Sequence, residues 1–170
     1  ASIAYPRRKV RIMGFLPGVT TPAGMTHQAI EDIAVMRTIP NMTVLETGDA
    51  TEVESICTVA DSVEGPVYCR VLRGNVPRLF KTPMKIGEIR KLNKGTDILV
   101  VTSGISTEEA LRARSAIKNA GISIQHIHLH TIKPINKELL LSQIEKVKYG
   151  VVTMENHLIN GGIGSIVADI

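Results

Sequence analysis

Short apolar runs alternate with amphipathic stretches of helical period along most of the sequence, and that alternation most narrows the folds open to it. Lys9 to Phe15 predicts a first strand, with Val10, Ile12 and Gly14 alternating against Arg11 and Met13. It feeds an irregular loop, Gly18 to Gly24, and then a helix that Pro40 ends. Met42 to Leu45 predicts a second strand. Asp49-Ala50-Thr51-Glu52 reads as a capping box opening a helix whose Val53, Ile56, Cys57 and Ala60 share a face. Gly65-Pro66 stops that helix before a third strand, Val67 to Leu72. Strand, helix, strand, helix, strand is the order of a parallel sheet with covering helices.

Between Arg73 and Lys94 the periodicity lapses, and Pro77, Pro83 and a scatter of basic residues predict a solvated connection. Alternation resumes with a strand at Ile98 to Val101. A second capping box, Ser106-Thr107-Glu108-Glu109, opens a helix with Ala110, Ala113, Ile117 and Ala120 on one face and Gly121 at its end. A strand over Ile122 to His130 follows, then a helix capped by Asn136 and carrying Leu140, Ile144 and Val147, then a strand over Val151 to Met154. Asn160-Gly161-Gly162-Ile163-Gly164 opens a last helix. The expected fold is α/β: two successive three-layer units with mainly parallel sheets, at residues 1–78 and 95–170, joined by a linker at 79–94. Both ends look truncated, because Ala1 is not an initiator Met and Ile163, Ile166, Val167 and Ile170 keep helical spacing to the last residue. A fragment or a split subunit is the expectation.

With 170 residues, 44% of them hydrophobic, the chain can bury a substantial core. Its longest apolar runs are too short to span a bilayer and no charged-then-apolar leader opens it, so a membrane location is not expected and a cytoplasmic one is. Cys57 and Cys69 suit reduced core thiols rather than a disulfide framework. Three Tyr, two Phe and no Trp leave few platforms for stacking bases, which argues against nucleic acid. The excess of 20 Lys and Arg over 16 Asp and Glu suits small anionic substrates.

Four features could carry chemistry. In Gly24-Met25-Thr26-His27-Gln28-Ala29-Ile30-Glu31-Asp32 a glycine loop is expected to turn into a helix with His27 in its first turn. There the helix dipole would favour a neutral, hydrogen-bonding ring, although a capping or surface role fits as well. Ala29, Ile30, Ile33 and Met36 give that helix an apolar face. Arg73 lies just past a strand's carboxyl end, where ligands of open α/β sheets gather and a guanidinium can grip a phosphate; an exposed linker arginine is the plain alternative. His126, His128 and His130 alternate along one strand, a spacing open to a metal but lacking a carboxylate or cysteine cluster nearby. A strand whose end emerges at a sheet edge or subunit contact explains them equally. Gly161-Gly162-Ile163-Gly164 has the setting of a phosphate-binding turn without matching a known phosphate loop, and close backbone packing accounts for it too.

These residues, in order, resemble the transketolase family of thiamine diphosphate enzymes. The resemblance rests on Gly24 to Asp32, Met36-Arg37-Thr38-Ile39-Pro40-Asn41-Met42, Asp49-Ala50-Thr51-Glu52 and Arg73-Gly74-Asn75-Val76-Pro77. Thr131-Ile132-Lys133-Pro134-Ile135-Asn136, Glu155-Asn156-His157 and Gly161-Gly162-Ile163-Gly164 extend it over nearly the whole chain. It implies the later part of a pyrimidine-binding domain, a linker and most of a C-terminal domain. It also implies that His27 contacts substrate hydroxyls and the reacting oxygen, as catalytic and substrate-binding residue, and that Arg73 binds the sugar phosphate. The family reaction, part of carbohydrate metabolism, moves a two-carbon ketol unit from a ketose phosphate to an aldose, with the cofactor as electron sink.

Two departures bear on substrate. Leu16 stands where many transketolases carry a histidine, and Thr21-Pro22-Ala23-Gly24 replaces Gly-Glu-Asp-Gly, so substrate hydroxyls are read differently. The resemblance further implies that the cofactor-binding residues lie upstream of Ala1, and that thiamine diphosphate and Mg²⁺ are held mainly by parts outside this chain. The chain alone is then inactive, and a homodimer or a heteromer with a diphosphate-binding subunit is expected. A 1-deoxyxylulose-5-phosphate synthase, a 2-oxoacid dehydrogenase beta-type subunit and a non-catalytic assembly subunit are the competing readings.

Overall fold

The computed structural model describes residues 2–170. In the first sheet, β1 (Arg11–Phe15), β2 (Thr43–Glu46) and β3 (Val67–Val71) run parallel in the order β1-β3-β2. Arg11 and Thr43 both pair with Val67, so the three strands end together and Phe15, Glu46 and Val71 reach one edge. The connecting helices are α1 (Asp32–Thr38) and α2 (Ala50–Asp61). Asp49 caps α2 through its Oδ1, which accepts from the Glu52 amide at 2.8 Å. The Glu52 carboxylate turns back one residue further than a capping box requires, to the Gly48 amide at 2.8 Å.

His27 does not open α1. It closes a single 3-10 turn, Met25–His27, and the helix starts five residues later at Asp32. Gly24 has φ 78 and Gln28 is extended, so the backbone is not helical on either side of the turn. Gln28 Nε2 bonds back to the carbonyls of Thr21 and Val19 at 3.2 and 3.3 Å. The neutral-ring argument from the helix dipole therefore does not apply to His27, since the dipole acts only over the first turn. Ile33 is buried and Met36 packs on the core as expected, whereas Ala29 and Ile30 lie outside the helix.

Five strands follow. β4 (Ile89–Asn93), β5 (Ile98–Thr102), β6 (Ile124–Leu129) and β8 (Gly150–Met154) make the second sheet in the order β4-β6-β5-β8, parallel except for β4. β7 (Thr131–Lys133) leaves that unit and joins the first sheet antiparallel to β2, with Leu45 opposite Thr131. β4 lies within the stretch expected to be a solvated linker. Its buried residues are Ile89 and Arg90, on opposite faces, and a buried arginine disguises the strand's alternation. Phe80 and Met84, just upstream, are buried as well.

The covering helices of this unit are α3 (Ser106–Asn119), α4 (Lys137–Ile144) and α5 (Ile163–Ala168). The second capping box does not form: α3 starts one residue early, so Ser106 becomes its first helical residue behind Ile105, whose side chain cannot cap it, and Thr107 faces Thr102 and His128. Gly121, at φ 77, does end α3, with the Gly121 and Ile122 amides on the carbonyls of Lys118 and Ile117. Asn136 Oδ1 caps α4 through the Leu139 amide at 3.0 Å. Ala110 is buried under α3, but Ala113 and Ala120 are exposed.

The molecule is thus α/β, with two mainly parallel sheets and covering helices. One continuous core holds Ile33, Val44 and Tyr68 from the first half together with Leu99, Ile127 and Leu140 from the second, and Ile132 of β7 lies within it. Cys69 is buried, but Cys57 is exposed, since α2 buries Ile56 and Ala60 and turns the thiol outward; both cysteines are free. No helix among the described residues is long and apolar enough to cross a membrane.

Because Ile132 is 1% exposed within the shared core, Ile132→Ala should cost about 2–5 kcal/mol, and urea unfolding should stay a single transition. Two separated transitions in the parent protein would show that the halves do not share a core.

Candidate active site at the carboxyl edge of the first sheet

Three parallel strands deliver their following loops to one edge, the place where α/β sheets build ligand sites. The loop after β1 begins at Leu16, a non-glycine residue in the left-handed region at φ 53, with its amide on the Val71 carbonyl at 3.1 Å. Gly18 follows at φ 83, and a Cβ there would lie 2.2 Å from the Asn156 amide group. Asn156, from the second half of the chain, fills that space. Its Oδ1 accepts from Val19 N at 2.9 Å and its Nδ2 donates to the Pro17 carbonyl at 3.0 Å. The Gly18 amide bonds to the Ala29 carbonyl at 2.8 Å and closes the neck of the loop.

Beyond that neck the tip is exposed. His27 stands in solvent, its Nδ1 2.9 Å from Thr26 Oγ1. Arg73, two residues past the end of β3, is exposed as well, and among the described residues it has no ion-pair partner. The fold brings both sequence candidates to the same edge on separate loops.

Arg70 braces this edge from below. It is 1% exposed, near the end of β3. Its Nε donates to Asp32 Oδ2 at 3.0 Å and its Nη1 to Glu46 Oε1, while its Nη2 donates to the carbonyls of Asn156 at 2.7 Å and Ala29 at 3.1 Å. Burial works against the guanidinium charge, but Glu46 and Asp32 outweigh it and raise its pKa. Tyr68 donates to the same Asp32 oxygen at 2.6 Å; burial and that carboxylate push its phenol up. Neither Arg70 nor Asn156 is among the sequence candidates. An arginine inside the apolar run Val67-Tyr68-Cys69-Arg70-Val71 is the signal that points to the first, while Asn156 carries no local signal of its role.

The three histidines lie on an inner strand of the second sheet and at its end, and all are buried; His128 and His130 meet the first half of the chain, whereas His126 lies under α3. His128 lies between Glu52 Oε2 at 3.0 Å and Thr107 Oγ1 at 2.7 Å. His126 Nε2 lies 3.0 Å from Thr102 Oγ1, and His130 Nδ1 lies 3.0 Å from Thr131 Oγ1. The other Glu52 oxygen accepts from Arg90 Nε at 2.7 Å, and the Arg90 guanidinium sits 4.4 Å from the centre of the Phe80 ring. Among the described residues no group of His, Cys, Asp and Glu is placed to hold a metal ion. Burial pushes His126 and His130 down to about 4. Burial also opposes the charge of Glu52, yet His128 outweighs it and holds the carboxyl down at about 2.

The turn at Gly161 to Gly164 carries no ligand site of its own. The Glu155 carboxylate already accepts from the amides of Ile163 at 2.6 Å and Gly164 at 2.9 Å. A Cβ at Gly161 would meet Ala34 Cβ at 2.4 Å, so close packing of α5 against α1 explains the glycine.

Two mainly parallel sheets sharing a core, with an exposed histidine and arginine on loops at one carboxyl edge, define an α/β protein with both sequence candidates at the edge where such sheets gather ligands. Residues 2–78 match the transketolase pyrimidine binding domain and residues 87–170 match the transketolase C-terminal domain, and the chain belongs to the transketolase family. It is 38% identical to a transketolase family protein of Sinorhizobium fredii, over 98% of this chain and 49% of that protein. It is 34% identical to the 6-deoxy-6-sulfo-D-fructose transketolase subunit SqwH of Clostridium sp. strain MSTE9, over 99% of this chain and 53% of that one. A solved structure described as a split gene transketolase, inactive beta4 tetramer, superposes with a TM-score of 0.90 at 38% identity, covering 99% of this chain and 55% of the other. The chain spans about half the length of the curated relatives it matches.

Replacing Arg70 by Met would leave Asp32 and Glu46 buried without their cation and should cost about 3–5 kcal/mol, read as a shift in the urea midpoint. Acid should destabilise the fold as well. His126 and His130 have folded pKa values of about 4, below the ordinary 6.5, so the unfolded chain takes up their protons first as pH falls from 6.5 to 4. Glu52, at about 2 against 4.5, adds a loss of the same sign between 4.5 and 2. Each histidine should contribute up to about 3 kcal/mol of loss, and His126→Gln should flatten the upper part of the profile.

Proposed function

We propose that this chain is part of a transketolase-type subunit that transfers a two-carbon ketol unit from a ketose phosphate to an aldose, and that it works only with the rest of its protein or a partner subunit. The observation that carries this reading is the placement of His27 and Arg73 on separate loops at one carboxyl edge, above the Arg70 brace. Relatives named as subunits support it: SqwH, and the split gene transketolase whose fold this chain shares. The division into a pyrimidine-binding unit at 1–78, a connection at 79–94 that carries β4 of the second sheet, and a C-terminal unit at 95–170 belongs to the same proposal.

Thiamine diphosphate and Mg²⁺ come with the family. The edge offers an imidazole and a guanidinium rather than the oxygen donors that a magnesium diphosphate takes, and no metal-holding cluster occurs among the described residues. This chain's residues do not fit the role of holding that group, which the proposal assigns to other parts of the assembly. What they supply is substrate recognition. With Nδ1 of His27 beside Thr26, Nε2 is left to bond a substrate hydroxyl or an oxygen on which negative charge develops. Arg73 presents a planar fork to a phosphate dianion and grips it through two parallel bonds. Thr21, by contrast, is buried with its hydroxyl on the Leu16 carbonyl, which removes it from contact with a sugar.

In the complete protein, supplied with thiamine diphosphate, Mg²⁺ and its partner, His27→Ala should lower kcat/KM by about 100-fold. Arg73→Ala should raise KM for a ketose phosphate by about tenfold and leave an unphosphorylated ketose little changed. Full transfer by both variants would favour a non-catalytic assembly subunit.

A further inference from the structure

A cleft opens between α3 and the second sheet at the sheet's amino edge, the end opposite Ser103 and Asn156. It has a volume of about 430 Å³, and Lys94, Arg114 and Lys118 line its mouth. The surface ion pairs of this unit join Arg112 to Glu108 and Glu109, and Lys148 to Asp97. Among the described residues the three cations at the cleft are therefore left without an acidic partner. Arg114 and Lys118 are four residues apart on one helix, where like charges repel and cost stability unless something between them carries the opposite charge. Lys94, reaching from the end of β4, adds a third cation from the other wall.

Beside the cleft, sharing Asn93, Arg114, Ile117 and Ile124 with its lining, lies an apolar slot of about 40 Å³ under α3, walled also by Val100 and Met154. Its helix side is formed by Ala110, Ala113, Arg114 and Ile117, and the methyl groups of the two alanines are too small to fill the space. His126 lies at its base, with Nε2 committed to Thr102. A cationic mouth beside a narrow apolar slot complements a ligand with a compact dianionic head and a short apolar group.

We propose that this cleft binds a small organic phosphate monoester, its phosphate held by Lys94, Arg114 and Lys118 and its apolar group lodged beneath Ala113. Ethyl phosphate, whose two carbons suit a slot of about 40 Å³, is the probe. Titrated calorimetrically into the full-length protein in its native assembly, it should bind at least about tenfold more tightly than inorganic phosphate, because only the ester fills the slot. Arg114→Gln and Lys118→Gln, both at exposed positions, should each weaken binding several-fold, and together by about tenfold or more. Ala113→Val, which adds about the bulk the slot can take, should fill it and remove the preference for the ester over inorganic phosphate. Arg73→Gln should leave this binding unchanged, so that failure here and failure of the proposed transketolase role stay separable. The proposal is overturned if the ester and inorganic phosphate bind alike to the parent protein, or if neither binds at about 5 mM. Indifference to the double Arg114 and Lys118 substitution, or loss of binding in Arg73→Gln, would overturn it equally.

Discussion

The buried guanidinium of Arg70 is the group on which the geometry of the candidate site depends. Its planar fork bonds to Asp32 at the start of α1, Glu46 at the end of β2, the Ala29 carbonyl in the loop and the Asn156 carbonyl from the second half of the chain. A lysine's single ammonium could not reach four such partners at once. Burying the charge is costly, and two carboxylates with two carbonyls offset that cost. The outcome is directional: Asp32 is held where α1 must begin, which fixes how far the His27 loop runs before the helix takes over.

A second buried polar cluster joins the halves on the other side. Glu52 accepts from Arg90 and lies against His128, so α2 of the first unit is tied to two strands of the second. β7 adds a backbone ladder across the same boundary. These connections place rigid structure beneath the sheet edge and leave the loop tips carrying His27 and Arg73 to face solvent. A substrate-reading edge needs that combination, because side chains that bind a ligand must be held by elements that do not move with it.

Local signals in the sequence were legible where one side chain meets one nearby backbone group. Asp49 and Asn136 cap the helices they precede, and Gly121 ends α3, since each interaction spans only a few residues. Misreadings occurred where a distant partner outbid the local pattern. Ser106, expected to cap α3, becomes its first residue while Thr107 turns to Thr102 and His128, and Arg90 hides a strand because its charge is neutralised by Glu52, 38 residues away. The histidines looked like an edge feature or a metal spacing, whereas hydroxyls and a carboxylate from other elements hold them in the interior. His27 was expected in the first turn of a helix, but that helix was placed too early, because the Gly24 and Gln28 backbone and the Arg70 hold on Asp32 set the true start.

By itself the sequence determined the α/β class, the order of its elements apart from β4 and β7, most of the cap residues, and the two candidates His27 and Arg73 with the family they resemble. Periodicity and capping are short-range consequences of backbone geometry and can be read from neighbouring residues. The tertiary structure alone decided that β7 joins the first sheet, that Asn156 shapes the loop after β1, that Arg70 is the brace and that both candidates share one edge. Those facts depend on contacts between residues far apart in the chain, many of them from strand register and buried charge, and no local pattern in one sequence records which distant group will supply the partner.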